Sequence, residues 1–435
     1  MKRLILALLL LMTLSGCGKN PESENVTSRA DVYVEQDGIL DLCIYSIDTL
    51  NPLVTSVKQN AEVLSSLYDG LFTVTDHFTA VPDLCTAYQT SEDGCSVFVQ
   101  LKQNVVFSDG NALTAQDVAL SVNRIVTSSG YYKSRLPHML GAELTNNGVT
   151  IYFEKPMKNP AVLLDFPILS LGGNEDHDAL LAPPAAGTGM YHLVSFRQNR
   201  TLQLVANQNH HSGKSPYFES VLIHITKTPE EAVSMLKSGA VDVLGATTET
   251  ENIVAENIKT VSYSGLRYVF LGTHPERGID GISASIPREK ITPQGAFPAA
   301  KPVHPKAETF VSVFADSKQG PIEKNPIAIL YCNTTPHRAQ VATKLARELS
   351  ARGIPTKAEG VDEKTYRIRI DNKAYDFFLA ETEILPDFAE DALKDNTIGL
   401  YFSEERLFCR SIVAELRVFT LNPYKSIYDW KPYAF

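Results

Sequence analysis

Five short stretches of this 435-residue chain carry the residue types that catalysis or metal binding would need. Gly281-Ile282-Ser283-Ala284-Ser285 misses a G-x-S-x-G nucleophile elbow by its last residue, and no strand–turn–helix pattern surrounds it. Ser234-Met235-Leu236-Lys237 fits S-x-x-K, and Ser108-Asp109-Gly110 nearly fits S-D-N. Acylating enzymes carry these two motifs in the reverse order and add a K-T-G, which does not occur here. The plain alternative is a serine and a lysine on one exposed helical turn. Gly187-Thr188-Gly189 lacks the third glycine of a dinucleotide loop, and there is no Walker sequence, H-E-x-x-H or C-x-x-C. His210-His211 is the only histidine pair in the chain. Read as part of a strand, its two rings point to opposite faces, so no metal is expected there. The residues therefore predict neither a catalytic group nor a cofactor nor a metal.

A sixth feature concerns attachment. Lys2 and Arg3 precede an apolar run, Leu4 to Leu14, of about a dozen residues, where a spanning helix needs roughly 20. This has the build of a secretory signal. The run stops at Leu14-Ser15-Gly16-Cys17, which resembles the lipobox of bacterial lipoproteins. That resemblance implies cleavage after residue 16 and an acylated Cys17, because more than one acyl chain is needed for firm retention. Residues 17–38 then read as a flexible polar tether.

Five cysteines remain: Cys43, Cys85, Cys95, Cys332 and Cys409. An odd number leaves at least one without a partner in the chain. If Asp93-Gly94 is a two-residue hairpin turn, Cys85 and Cys95 lie too far apart along their strands to bond. Cys332 and Cys409 stay a candidate pair that no pattern requires. The net charge of −10, with no basic cluster, argues against nucleic acid as a partner.

The elements that would position any site follow from periodicity and turn chemistry. Alternation predicts a strand over Ile39 to Ile47, and Val63, Leu64, Leu67, Tyr68 and Leu71 stand at the spacing of one buried helical face. A hairpin is expected around Asp93-Gly94. Thr114 and Asp117 form a capping box ahead of a helix bearing Val118, Val122 and Ile125. Strands are predicted at 149–153, 200–206, 221–226 and 326–332. Helices are predicted over 229–239, opened by proline and closed by glycine, and over 336–353 with Val341, Leu345 and Leu349 inward. The Pro-rich interval 291–305 reads as a linker or long loop. Mixed strands and helices in this order point to α/β or α+β lobes.

With these elements in place, Thr49 to Ile125 resembles the bacterial solute-binding protein family 5, the oligopeptide-, dipeptide- and nickel-binding proteins of ABC importers. Its most specific part is Ser108-Asp109-Gly110 with Thr114-Ala115 and Asp117-Val118, where turn, cap and helix start are fixed together. Gly187-Thr188-Gly189-Met190-Tyr191 is similar to the family's G-T-G-P-Y. Asn207 to Tyr217 is similar to its N-x-x-Y-W-x-G-K-P-Y, and Glu231 to Asp242 to its helix plus G-x-[IV]-D. Leu266 to Ile291 is similar to the opening of the far lobe. Tyr88, Pro287 and Gly272 depart from the family's tryptophan, aspartate and asparagine, and the chain between Ile291 and Asn325 is short for the family.

The resemblance implies a two-lobe, periplasmic-binding-protein-like fold of the peptide-binding class, with a hinge. Its expected parts are a signal peptide (1–16), a tether (17–38), a near lobe (39–261) with an inserted subdomain at about 62–158, a shortened far lobe (262–420), and a C-terminal return (421–435). It implies an extracytoplasmic, lipid-anchored monomer with no enzymatic activity that captures peptide and passes it to ABC permease subunits. A nickel chelate or another small solute is the alternative cargo, and a non-transporting sensor or scaffold the alternative role. The corresponding far-lobe segment of peptide-binding relatives supplies an acid for the ligand's ammonium. This makes Glu383, then Asp387 and Glu381, the candidate ligand residues, with Thr55 from the near lobe.

Overall fold

The alternation of ILDLCI is realised as strand β1 (Ile39–Ile44), in which Leu40 and Leu42 are fully buried. The structure is a computed structural model. It describes residues 38–45, 47–172, 184–245, 253, 255–276, 280–294, 296–301, 304–307, 326–334, 336–386, 396–418 and 421–432. Cys17, the signal and tether segments and Asp387 lie outside the described residues.

Helix α1 (Lys58–Leu64) continues only as a 3-10 turn, Ser65–Leu67, and the chain is extended from Tyr68 onward. The single helix expected through Leu71 is therefore cut short. All five of its apolar residues are buried, because a segment covered on every side can hide them without helical period. Strand β2 (Phe72–Val74) pairs with β3 (Ala80–Pro82). Next come β4 (Cys85–Thr90), β5 (Ser96–Leu101), helices α2 (Ala115–Thr127) and α3 (Tyr131–Arg135), then β6 (Met139–Thr145) and β7 (Gly148–Phe153). The four strands form a sheet in the order β4-β5-β7-β6, and α2 packs Val118, Val122 and Ile125 into the core. The capping box is present in full: Asp117 N–H donates to Thr114 Oγ1, and Thr114 N–H donates to the Asp117 carboxylate.

The hairpin loop runs from Ser91 to Cys95 rather than over two residues. Asp93 accepts from Ser91 Oγ at 2.6 Å and from Cys95 N–H at 2.9 Å, and these local bonds hold a wider turn. Cys85 faces Leu101, so it is remote from Cys95 as expected.

The second half brings β8 (Tyr191–Arg197), β9 (Thr201–Ala206), β10 (Ser220–Ile225), α4 (Pro229–Ser238) and β11 (Val243–Gly245). Then follow β12 (Ile258–Thr273), α5 (Asp280–Ser285), α6 (Arg288–Ile291), β13 (Phe297–Pro298), β14 (Ile327–Cys332) and α7 (Pro336–Ala351). The chain closes through β15 (Thr356–Val361), α8 (Glu363–Asp371), β16 (Phe377–Glu383), β17 (Thr397–Arg410), β18 (Val413–Glu415), a 3-10 segment Pro423–Asp429 and β19 (Lys431–Pro432). Helix α4 has Pro229 at its start and Gly239 at φ +83° after its end, as its sequence predicts.

One large sheet runs β15-β14-β16-β12-β17-β11-β1-β10-β9-β8, with β13 added on β17. Its middle is the antiparallel pair β12 and β17, by far the longest strands. Their register shifts between Ser264 and Tyr268. On one side of the shift β17 pairs with β11, and on the other β12 pairs with β16. Two main apolar clusters lie along this pair, the first of them reaching across the shift to Tyr268, Ile384 and Phe402. One gathers Leu40, Leu42, Val63, Val149, Ile151 and Ile223, the other Val269, Leu271, Ile329, Leu345, Phe377 and Leu379. The molecule is thus a mixed α/β structure built as two lobes on a shared pair of long strands. Gly272 explains its own departure from asparagine: a Cβ there would lie 2.0 Å from the Phe378 ring.

Two further expectations need correction. The Pro-rich interval is no loose linker where described: Phe297 and Pro298 pair with Phe402 and Tyr401, and His304 is wholly buried beside Phe78, Phe297 and Phe402. The candidate Cys332–Cys409 bridge does not form, and all five described cysteines are free. Cys332 is on β14 and Cys409 on β17, with β16 and β12 between them. Three strand spacings of about 4.8 Å exceed disulfide reach.

Candidate functional site

The turn before α1 decides where its first residue points. Asp48 accepts from Thr55 Oγ1, from Ser56 N–H at 2.8 Å and from Asn60 Nδ2 at 2.8 Å. Burial pushes the Asp48 carboxyl up, but these donors win and hold it below its ordinary value. The clasp fixes the entry to α1, whose first residue is Lys58. Lys58 Nζ donates to Glu405 of β17 at 3.0 Å and to Glu383 of β16 at 3.1 Å, and lies 3.9 Å from Glu62.

One ammonium therefore serves three carboxyls. Burial draws the Lys58 ammonium down, while Glu405, then Tyr131, Glu62 and Glu383, hold it well above its ordinary value. For Glu405, burial is outweighed by Lys58 and by the Tyr263 hydroxyl, which donates at 2.9 Å, so its carboxyl stays low. Glu62 loses this competition: burial outweighs Lys58 and pushes its carboxyl up to about 8. Glu383 is the accessible member, with 44 % of its side chain exposed.

The sequence-predicted ligand residues are divided by these contacts. Glu383 stands at the junction of the lobes. Glu381, two residues earlier on β16, accepts from Arg338 Nη2 at 2.9 Å. Thr55 is fully buried, its hydroxyl committed to Asp48 and to the Val57 and Asn60 donors, so in this conformation it offers no hydroxyl to a ligand. Sequence reasoning missed Lys58 and Glu405. Lys58 carried no signal beyond being a cation at the start of a helix, and Glu405 none beyond an acidic pair, Glu404-Glu405, inside a strand.

A second polar cluster overturns the reading of His210-His211. The pair sits in a turn, not on a strand, and its rings lie side by side with centroids 4.2 Å apart. The turn is set by Asn207, whose Nδ2 donates to Gly189 O at 2.9 Å and whose Oδ1 accepts from Asn209 N–H at 3.0 Å. Both Nε2 atoms lie 3.0 Å from Asp69 Oδ2. Lys425 binds the other oxygen, Oδ1, at 3.1 Å. Burial pushes the Asp69 carboxyl up, but Lys425 and the two histidines hold it well below the ordinary range. A cavity of about 130 Å³ opens beside it, lined by Ser66, Asp69, Thr73, Asp83 and Lys425 among others. It is separate from the Lys58 junction.

Several proteins that this chain is similar to are named as binding proteins. Residues 79–292 match the family described as bacterial extracellular solute-binding proteins, family 5, in its middle region. The chain is 22 % identical over 317 residues to the oligopeptide-binding protein AppA of Bacillus subtilis, covering 66 % of this chain and 57 % of AppA. It is 23 % identical over 356 residues to the probable D,D-dipeptide-binding periplasmic protein DdpA of Escherichia coli, covering 71 % of this chain and 66 % of DdpA. The aligned part thus spans less than two thirds of the length of each. In fold it is similar to the ABC transporter substrate-binding protein CtaP of Listeria monocytogenes, with a TM-score of 0.70, 15 % identity and coverage of 91 % and 99 % of the two chains. Over residues 79–292 the chain is similar to the family 5 solute-binding proteins, and its fold matches that of an ABC transporter substrate-binding protein over 91 % of its length.

Proposed function

We propose that this protein is the extracytoplasmic substrate-binding component of an ABC importer, and that it captures a peptide between its lobes by hinge closure. The observation that carries the reading is the junction itself. Two apolar cores meet along the long β12–β17 pair at a register shift, and an accessible carboxylate, Glu383, lies there against Lys58 of α1. Such a shift is where two strands can bend about each other, and a carboxylate closed into a cleft attracts an ammonium more strongly than one in water. The lobes would divide as the sequence suggests, near 261–262 and again near 420–421. Cys17 would carry the lipid that keeps the chain at the membrane surface. Among the described residues no helix is long and apolar enough to cross a membrane, which is compatible with tethering of the body.

Mass spectrometry tests both parts. Gently purified protein should carry peptides that dissociate on activation, and the membrane-extracted chain should begin at an acylated Cys17. A chain that arrives empty and takes up no member of a peptide library would sink the first; an unmodified Cys17 would sink the second.

A further inference from the structure

We propose that Asp69, His210 and His211 form a binding site for a divalent transition-metal ion of the zinc class, apart from the lobe junction. Three donor atoms from two distant chain segments converge: Nε2 of each histidine is 3.0 Å from Asp69 Oδ2, and all three lie within 4.8 Å of one another. Asp83 Oδ1, 3.6 Å from His211 Nε2, stands ready as a fourth donor. A tetrahedral zinc ion with bonds of about 2.0–2.1 Å sets its donors about 3.3 Å apart, which the separations of 3.0, 3.0 and 3.6 Å bracket. Two imidazoles with carboxylate are the donors of zinc, nickel or cobalt rather than of magnesium or calcium. The side chains of Asp69, His210 and His211 are only 5–6 % exposed, so little water competes.

The surroundings also orient the donors. His210 Nδ1 accepts from Ser212 N–H at 3.2 Å and lies 2.7 Å from Ser212 Oγ, so without metal the ring proton sits on Nε2 toward Asp69, and a metal at Nε2 must displace it. Thr188 Oγ1 donates to Asp69 Oδ2 at 3.1 Å, and Lys425 occupies Oδ1, so the carboxylate cannot rotate away from the rings. The same distances fit a simpler state, in which each neutral histidine donates Nε2–H to Asp69. The two states differ in where the protons sit. His211 Nδ1 faces Lys102 Nζ at 3.3 Å and there acts as an acceptor. Metal binding moves that proton to Nδ1 and turns Lys102 out, so Lys102 opposes the metal.

The test uses tag-free full-length protein stripped with a chelator, titrated with Zn²⁺ by equilibrium dialysis and followed by thermal melting. One zinc per chain and a raised Tm are expected. The double variant His210→Gln/His211→Gln should weaken binding by roughly a hundredfold or more, and Lys102→Gln should tighten it by roughly tenfold. X-ray absorption of the zinc-loaded wild type should report two imidazole nitrogens on the metal, which decides the matter even if the double variant does not fold. No zinc retained, equal retention by the double variant, or a zinc shell without two imidazoles would each overturn the site.

Discussion

Lys58 has three carboxyls around it and one positive charge to divide. Glu405 and Glu383 take the hydrogen bonds, and for Glu62 burial outweighs the attraction of Lys58 at 3.9 Å. Its folded value of about 8 stands above its ordinary 4.5. A raised folded value means that the native state holds the proton more tightly. The resulting stability is complete below about pH 4.5 and is lost as pH rises through 8. Thermal melting should therefore show wild type losing Tm between pH 5 and pH 8 relative to Glu62→Gln, which mimics the protonated acid at every pH. A constant difference between the two would show that Glu62 stays ionised. Glu383 belongs to the same residue scale but to binding. A charge-assisted hydrogen bond to a ligand ammonium contributes about 1.5–3 kcal/mol, or roughly ten- to a hundredfold in affinity. Glu383→Gln should weaken a bound peptide at least tenfold in calorimetric titration, and N-acetylating that peptide should weaken wild type similarly. Unchanged affinity in both titrations would move the anchor elsewhere.

At the scale of elements, the stretch Gly187-Thr188-Gly189 shows how a motif can be right for a reason its letters do not state. It resembles a broken phosphate loop in sequence, yet it is a packing seam. A Cβ on Gly187 would lie 2.1 Å from Leu67 O, and one on Gly189 2.4 Å from the Leu67 carbonyl carbon. Gly189 N–H donates to Leu67 O at 3.0 Å, and Thr188 Oγ1 accepts from Asp69 N–H. The glycines let this stretch of chain lie directly on the end of the 3-10 turn that precedes Asp69. Gly189→Ala must push backbone against backbone and should cost about 1–3 kcal/mol, read as a lower urea midpoint at unchanged slope. A variant as stable as wild type would show that the seam can relax.

Across the whole molecule, the Lys58 contacts tie α1 to β16 and β17 by ion pairs that need no ligand. The pair with Glu383 is partly exposed, so it contributes at most about 1 kcal/mol and biases an equilibrium rather than locking it. Removing the charge with Lys58→Met should shift ligand-free protein toward a more open average. Small-angle scattering would register this as a larger radius of gyration than wild type, with ligand reversing the change. Identical profiles for wild type, variant and complex would argue against a hinge at the β12–β17 shift.

The sequence by itself determined whatever depends on near neighbours. The capping box at Thr114 and Asp117, the Pro229 and Gly239 ends of α4, and the strand feeding α7 are local hydrogen-bonding and steric choices, and each formed as its residues require. The family was legible for the same reason, since its marks are turns and caps. What only the tertiary structure decided are contacts between residues far apart in the chain. Lys58 meets Glu383 across 325 positions, and Asp69 meets His210 across 141. Neither partner looks unusual alone, because a charge acquires its role from what burial and chain path bring within about 4 Å of it. Periodicity misled where burial was complete, as in the helix that stops at Leu64. The expected divergence of His210 and His211 failed because a turn, held by Asn207, replaced the strand that would have parted them.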